Sequence, residues 1–191
     1  MIYWSKSEKQ PSKILLHACC GVCALGAIEL LRQHFTDISL FYYNPNIYPP
    51  EEYLRRLEAM EKVARIYNFS LIKGAYEAKR WLNFVKGFED EPEGGKRCEL
   101  CFRFRLEKTA GLAKEKNFPS FTTTLTISPH KNASLINEIG KEIALKYAVR
   151  FLEADFKKKE GFKKTIELAK KYNLYRQTYC GCIFSRGSVS E

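Results

Sequence analysis

Short apolar runs alternate with longer amphipathic segments along this chain of 191 residues, and this alternation constrains the fold more than any other feature. Five apolar runs have the length of buried strands, at residues 14–18, 38–43, 69–72, 118–124 and 149–152. Helical spacing of apolar residues marks the segments 24–34, 51–67, 77–87, 98–116, 132–147 and 161–172. This order predicts an α/β fold with a mainly parallel sheet flanked by helices. The length predicts a single domain over residues 1–191.

Polar and thiol side chains follow the predicted strands at the points where these strands end. Cys19, Cys20 and Cys23 follow the first strand, Asn44 to Asn46 follow the second, and Thr123 to Ser128 follow the fourth. Asp155 comes after the fifth. Ligands of parallel sheets bind beyond the carboxyl ends of the strands. The sequence therefore predicts a functional site at this edge of the sheet.

The charge of the chain points to an anionic partner. Lys and Arg number 32 against 22 Asp and Glu, a net charge of +10, which is compatible with a nucleic acid. Lysines at 157–159, 163–164 and 170–171 predict a footprint on a nucleic-acid backbone. No apolar run approaches the ~18 residues of a membrane span, and residues 1–13 lack a signal-peptide core. We therefore expect a cytoplasmic protein with no membrane partner.

Seven cysteines fall into three clusters, which have the spacings Cys-Cys-x-x-Cys, Cys-x-x-Cys and Cys-x-Cys. Their members are Cys19, Cys20 and Cys23, then Cys98 and Cys101, then Cys180 and Cys182. In a reducing compartment such clusters favour metal or redox chemistry over disulfides. One zinc ion or one [4Fe–4S] cluster takes four cysteines and would leave three. The count therefore predicts either a cluster with a neighbouring metal or a cluster with redox thiols.

Other interpretations of the cysteines stay open from the residues alone. Adjacent side chains in extended backbone point apart, so Cys19 and Cys20 can serve two different metals, or one metal and a substrate. A thiol-based oxidoreductase would use Cys20 and Cys23 between a strand and a helix. A zinc-stabilised RNA-binding module would use some of the same ligands. Spacing does not decide which thiols bind which group.

Several other side chains are candidates for function. Arg105 lies one turn beyond Cys101, among phenylalanines that suit base stacking. Tyr53 lies one turn before Arg56, where both can face the site, and Tyr53 can donate a proton. The alternative for Tyr53 is surface packing, and for Asp155 it is a solvated loop carboxylate. His17 lies inside an apolar strand and is predicted to be a hydrogen-bonded core residue.

With these residues assembled, the sequence resembles epoxyqueuosine reductases of the QueH type over nearly the whole chain. One segment that carries the resemblance is His-Ala-Cys-Cys-Gly-Val-Cys at 17–23. The others are 43–47, Glu52-Tyr53 with Arg56, 97–101, 105–106, 122–131, and 175–182 with Ser185. Val22 stands where the family often has proline, which affects the rigidity of the turn more than its set of ligands. The resemblance implies a compact Rossmann-like domain, akin to nucleotide-hydrolase-like folds.

The resemblance also implies an activity and its cofactors. The reaction is reduction of the epoxide of epoxyqueuosine, at the wobble position of tRNA, to queuosine. It implies a [4Fe–4S] cluster and an additional iron ion that acts as a Lewis acid, with electrons from an external donor that is ferredoxin- or flavodoxin-like or a chemical reductant. The chain has no phosphate-binding glycine motif, so we expect no ATP or NAD site.

The expected site residues follow from the same resemblance. All seven cysteines are expected to bind metal, and Cys20 is expected to be catalytic together with an acid, Tyr53 or Asp155. The expected substrate- and tRNA-binding residues are Asn44, Asn46, Arg56, Arg105, Ser128, Tyr175, Arg176, Gln177 and Tyr179.

Overall fold

A five-stranded parallel sheet with helices on both faces forms the centre of the protein, as described by a computed structural model for residues 2–3 and 12–188. The strands are β1 (Ile2–Tyr3), β2 (Lys13–Ala18), β3 (Asp37–Tyr42), β4 (Leu71–Lys73), β5 (Ser120–Thr123), β6 (Arg150–Phe151) and β7 (Glu153–Ala154). The helices are α1 (Gly21–Leu31), α2 (Pro50–Tyr67), α3 (Ala78–Phe84), α4 (Lys96–Glu115), α5 (Ala133–Tyr147) and α6 (Gly161–Lys171). The predicted α/β class is therefore confirmed.

The order of the strands places a crevice at the carboxyl ends of β2 and β5. The sheet runs β4-β3-β2-β5-β6, and every neighbouring pair in it is parallel. Connections from β2 lead to β3 on one side, and the chain later returns to place β5 on the other side. Ligands of open α/β sheets bind where the strand order reverses in this way.

The core has two layers because successive residues of a strand face opposite sides of the sheet. Ile14 and Leu16 of β2 pack with α1 and α2 on one face, and Leu15 packs with α4 and α5 on the other. These three side chains are fully buried, and burial of one such side chain contributes about 1.5–3 kcal/mol. The sheet is thus held from both sides, which fixes the ends of its strands.

His17 ties three strands together at their carboxyl ends, and its predicted place in the core is confirmed. Its Nδ1 lies 2.8 Å from Thr123 Oγ1 and its Nε2 lies 3.1 Å from the Tyr43 carbonyl oxygen. Burial, followed by the charge of Arg105, lowers the pKa of His17 to about 4. The ring is therefore neutral at pH 7 and acts as a structural connection beneath the site.

The structure differs from the sequence predictions in three places. Helix α1 begins at Gly21 and not near residue 24, because Cys20 accepts a hydrogen bond from the Cys23 amide and caps the helix earlier. The predicted strand 118–124 is shorter, since residues Thr124–Ile127 form a 3-10 helix. A small antiparallel pair, β1 with β7, was not predicted, because two residues are too few to show the alternating pattern of apolar and polar side chains that marks a strand.

Two sequence predictions concern regions that the structure tests only in part. Within the described residues, no helix combines the length and apolar character needed to cross a membrane. The prediction on the polar segment 1–13 falls mostly outside the described residues, as do residues 189–191. The single-domain prediction for 1–191 stays a prediction.

Candidate metal centre and substrate cavity

The turn from β2 into α1 places three cysteines at the reversal point of the sheet. The backbone amide of Cys19 donates to Thr124 Oγ1 of the neighbouring segment at 3.0 Å, which ties the end of β2 to the end of β5. Cys20 is extended, and Cys23 lies in the first turn of α1. The turn needs glycine at position 21, because a Cβ there would lie 2.6 Å from the Ala59 carbonyl oxygen of α2.

The sulfur atoms of Cys19, Cys20 and Cys23 lie within 4.8 Å of one another. The expectation that Cys19 and Cys20 point apart is therefore wrong, whereas their service to different partners stays a prediction. The backbone bends between the strand and the helix, so adjacent side chains converge where an extended chain would separate them. Three thiols at this spacing can hold one metal ion, with any further position left for another ligand.

The three thiols differ in acidity because they share hydrogen bonds. Donation from the thiols of Cys20 and Cys23, together with the charge of Lys131, holds the pKa of Cys19 well below its usual range. The same bonding to Cys19 raises the pKa of Cys20 to about 12 and raises that of Cys23. One thiolate thus forms first in this group and is stabilised by its neighbours.

The remaining four cysteines line a cavity of about 120 Å³, the smaller of the two cavities at this edge of the sheet. Cys98 and Cys101 come from the first turns of α4, whereas Cys180 and Cys182 come from the segment after α6. Trp81 Nε1 donates to Cys101 Sγ at 3.3 Å, and this bond orients that sulfur. The two Cys pairs thus meet across a cavity although about 80 residues of sequence separate them.

The segment that carries Cys180 and Cys182 is fixed by Arg56 of α2. Arg56 is 3% exposed, contacts Glu52 at 2.6 Å, and donates to the carbonyl oxygens of Tyr179 and Cys180 at 3.3 and 2.8 Å. Gly181 has a φ of +101°, and a Cβ there would lie 2.7 Å from the Arg56 guanidinium. Only glycine therefore allows the chain to pass Arg56 between the two cysteines.

Two cations, Arg105 and Lys131, lie between the two groups of cysteines. They line the smaller cavity and also the larger cavity that is described next. A hydrogen bond from Cys182, followed by the charges of Lys131 and Arg105, holds the pKa of Cys180 well below its usual range. Arg105 is 3% exposed, and within 12–188 its Nη2 has no hydrogen-bond partner. The arrangement suits anionic sulfur, because each cation stabilises thiolate over thiol.

A larger cavity of about 570 Å³ opens beside the three-cysteine group. Cys19, Cys23 and Cys180 face it, so both groups of cysteines border the same space. The predicted substrate- and tRNA-binding residues that also line it are Asn44, Asn46, Arg56, Arg105, Ser128, Arg176, Gln177 and Tyr179. The structure thus brings most of the expected site together at the reversal point.

Three predicted residues lie elsewhere. The Tyr53 hydroxyl points to the Gly74 carbonyl oxygen at 3.5 Å, and Tyr175 donates to Glu52 at 2.9 Å, so neither lines the larger cavity. Asp155 is buried beside Lys157, with 3.4 Å between their charged groups. Lys157 in turn donates to the Lys131 carbonyl oxygen.

The sequence analysis gave no role to some residues of the site. Lys131 follows the strand-end segment 123–128 by three residues, and this position was the available signal. Arg97 directly precedes Cys98 and donates to carbonyl oxygens of the loop at Phe88, Glu89 and Glu91. Trp81 had no signal, because its contact with Cys101 arises only from the packing of α3 on α4.

Comparisons with known proteins identify the family of this chain. The family model "Epoxyqueuosine reductase QueH" matches residues 14–188. The chain is 42% identical to Epoxyqueuosine reductase QueH of Thermotoga maritima, covering 90% of this chain and 89% of the relative. It is 39% identical to that of Streptococcus pyogenes, covering 95% and 73%, and 41% identical to that of Staphylococcus epidermidis, covering 95% and 79%.

A solved structure shares the fold at low sequence identity. It is a predicted subunit of a tRNA methyltransferase from Methanocaldococcus jannaschii, with a TM-score of 0.53, 14% identity, and coverage of 83% of this chain and 76% of that chain. The likeness concerns the α/β architecture alone. The match of the family model over most of the chain and the close relatives show that this protein belongs to the epoxyqueuosine reductase QueH family, and so to a family of oxidoreductases.

Proposed function

We propose that this protein reduces the epoxide of epoxyqueuosine in tRNA to the alkene of queuosine, with an iron–sulfur cluster and an additional iron ion. The observation that carries the proposal is the arrangement of the seven cysteines. Three converge at the carboxyl end of β2, four line an adjacent cavity, and both groups border one larger cavity. The activity is the one named for the relatives that match nearly the whole chain.

The residues around the smaller cavity fit a [4Fe–4S] cluster. Four cysteines are the ligand set that such a cluster takes, and Cys98, Cys101, Cys180 and Cys182 supply them. Within the described chain Arg105 Nη2 has no hydrogen-bond partner, and it faces this space as a donor for anionic sulfur. Cys19, Cys20 and Cys23 then remain to hold the additional iron. When bound, these groups supply two electrons in single steps and a Lewis acid.

The protein residues bind and orient the substrate at the larger cavity. Its volume of about 570 Å³ falls in the range of small-molecule sites. Arg176 and Ser128 lie at its border, where they can contact the nucleotide. Arg56 and Gly181 hold Tyr179 and Cys180 in place, so the wall of the cavity is continuous with the cysteine ligands.

Tyr53 and Asp155 are assigned positioning roles in this proposal. Tyr53 packs on Tyr76 with ring centroids 4.3 Å apart and accepts at its carbonyl a hydrogen bond from Tyr42, which stabilises the start of α2. Asp155 pairs with Lys157, which fixes the segment carrying Lys131. Both act through other residues, since neither lines the cavity.

The basic surface of α6 and of the turn before it is the proposed contact for the tRNA backbone. Phe162, Thr165 and Ile166 of α6 line the cavity. Lysines at 158, 159, 163, 164, 170 and 171 lie on α6 or the turn before it and are exposed or partly exposed. Lysines near phosphates make binding dependent on salt. The proposal includes a cytoplasmic location, where thiols stay reduced, and an external electron donor.

The experiment is purification without oxygen, with iron, acid-labile sulfide and zinc counted per chain, followed by incubation with epoxyqueuosine tRNA and a chemical reductant. We expect about five irons and four sulfides per chain and formation of queuosine, detected by mass spectrometry of the digested tRNA. Zinc without sulfide and no conversion would support the RNA-binding module. Conversion by metal-free protein would support the thiol-based oxidoreductase.

A further inference from the structure

Two asparagine side chains in the larger cavity have acceptors that no protein group satisfies. Asn44 and Asn46 are 1% and 3% exposed, and both line this cavity. Their Oδ1 atoms have no hydrogen-bond partner in the part of the chain that the structure describes. A buried acceptor left unpaired costs about 1–3 kcal/mol. Such groups persist where a ligand supplies the missing donors.

A third amide, that of Gln177, has the same property. Its Oε1 is buried and without a partner within residues 12–188, and the residue lines the same cavity. Its Nε2 donates to Cys20 Sγ at 3.0 Å, so the oxygen is the atom left over. Likewise Asn44 Nδ2 donates to the Ala18 carbonyl oxygen at 2.9 Å, which assigns the oxygen and nitrogen of that amide. At Asn44 and Gln177 the cavity therefore offers an acceptor and not a donor.

The acceptors lie in a cavity that also carries charges. Within the described residues, Arg56, Arg105, Lys131 and Arg176 line it together with Glu93. Hydroxyl groups are neutral donors that can pair with amide oxygens in such a cavity. A ligand with two hydroxyl groups can therefore satisfy two of the unpaired amide oxygens.

We infer that Asn44 and Asn46 recognise the vicinal diol on the five-membered ring of the substrate, with Gln177 as an additional acceptor. The inference rests on the proposed function, since epoxyqueuosine carries two neighbouring hydroxyls beside its epoxide. The diol is unchanged by the reaction, so these amides bind substrate and product alike. They set the position of the ring and exclude bases that lack it.

The test compares the binding of three tRNAs that differ only at the modified base. One carries epoxyqueuosine, the second carries queuosine, and the third carries 7-aminomethyl-7-deazaguanine, which has no ring. We expect wild-type protein to bind the first two at least about tenfold more tightly than the third. This measurement needs no variant. Equal affinity of wild-type protein for all three would overturn the inference.

The variant Asn46→Leu removes the acceptor at similar size. We expect its affinity for both ring-bearing tRNAs to fall about tenfold, with the affinity for the ring-less tRNA unchanged. Asn46→Asp keeps an acceptor oxygen and should retain most of the discrimination. The matched control is Thr126→Val, which removes another buried oxygen without a partner among the described residues, outside the cavity, and should leave all three affinities unchanged.

The outcomes separate this inference from the proposed function. Loss of iron in Asn46→Leu would mean that the Asn46 side chain binds a metal ion. An equal loss of affinity for all three tRNAs would mean that Asn46 has a structural role. Either result overturns the inference. If wild-type protein converts epoxyqueuosine but binds tRNA with the same affinity whether or not the ring is present, only the inference fails. If it discriminates the ring but forms no queuosine in the presence of reductant, the proposed function fails while diol recognition stands.

Discussion

The two groups of cysteines are built in opposite ways. Cys19, Cys20 and Cys23 lie within five residues, on one turn between β2 and α1, and their sulfurs converge within 4.8 Å. The four cysteines of the smaller cavity come from α4 and from the segment after α6. Within the described residues they do not form a group as close as the first. One group is therefore formed by local backbone geometry and the other by tertiary packing.

The difference teaches which interactions hold each group. The first depends on a helix cap, on a tight approach of α1 to α2, and on the bond from Cys19 to Thr124. The second depends on Arg56, which holds the segment of Cys180, and on the bond from Trp81 to Cys101. Ordering a distant segment costs more conformational entropy than bending a short turn. Metal ligation should thus stabilise the second group more.

The largest effect is expected from removal of one ligand in each group. Cys98→Ala should abolish conversion of epoxyqueuosine and remove about four irons with their sulfide. Cys20→Ala should also abolish conversion but retain the sulfide, because the other cavity keeps its four thiols. Iron and sulfide analysis of both variants checks this. Full loading and turnover in either variant would contradict the assignment of ligands.

A large loss of stability is expected for Arg56→Met. The substitution leaves the buried Glu52 carboxylate without its ion pair and removes the bonds to Tyr179 and Cys180, which should cost about 3 kcal/mol. The matched control is Arg55→Met, whose side chain is 60% exposed and lies 4.0 Å from Glu52, with an expected cost of about 1 kcal/mol or less. Urea unfolding measures both, and equal costs would refute the role of Arg56.

A moderate effect is expected from Gly21→Ala, which tests the local construction of the first group. The new Cβ would meet backbone atoms of Ala59, so α1 must shift, at a cost of about 1–3 kcal/mol. Gly111→Ala in α4 is the control, since its Cβ would make only an ordinary contact of 3.4 Å with Tyr147. That variant should gain about 0.5–1 kcal/mol. Urea unfolding measures both variants. If the free energy of unfolding changed in the same direction in both, the tight approach of α1 to α2 would be ruled out.

The smallest effect is expected from Thr124→Val. The hydroxyl donates to Cys19 Sγ at 3.2 Å and helps to lower the pKa of that thiol. Its loss should raise the pKa of Cys19, so alkylation of Cys19 in reduced, metal-free protein should require a higher pH. The substitution also removes the acceptor of the Cys19 amide, a bond of 3.0 Å, so the free energy of unfolding should fall by about 1 kcal/mol. An unchanged pH profile of alkylation, read residue by residue in a mass spectrometer, would mean that the bond is too weak to matter.

Periodicity was sufficient to predict the five strands of the parallel sheet, the six α-helices, and the sheet edge where the candidate site lies. Strands β2 and β3 begin within a residue of their predicted starts, because a strand buried on both faces of the sheet leaves a continuous apolar run in the sequence. The order of the strands was not predictable, since it depends on how the helices pack. The convergence of Cys19 with Cys20 was missed because it needs the bend at Gly21, which depends on α2.

The roles of buried charges were the least predictable part of the site. Arg105 was expected on tRNA, yet its guanidinium is buried between the two groups of cysteines, and the sequence pattern around it is that of an amphipathic helix. Lys131 and Trp81 act through contacts across the fold, where no local spacing marks them. Position after a strand end predicts membership of the site but not the partner of each side chain.

The location of Cys180 and Cys182 after α6 has a consequence for biosynthesis. Translation runs from the N-terminus to the C-terminus, so every described strand and helices α1 to α6 are made before these two cysteines. The three-cysteine group can form on a nascent chain as soon as β2, α1 and their neighbours have emerged. The four-cysteine cavity has only half of its ligands until translation has passed residue 182. Insertion of the proposed cluster is therefore expected late in maturation, once the preceding polypeptide has been made.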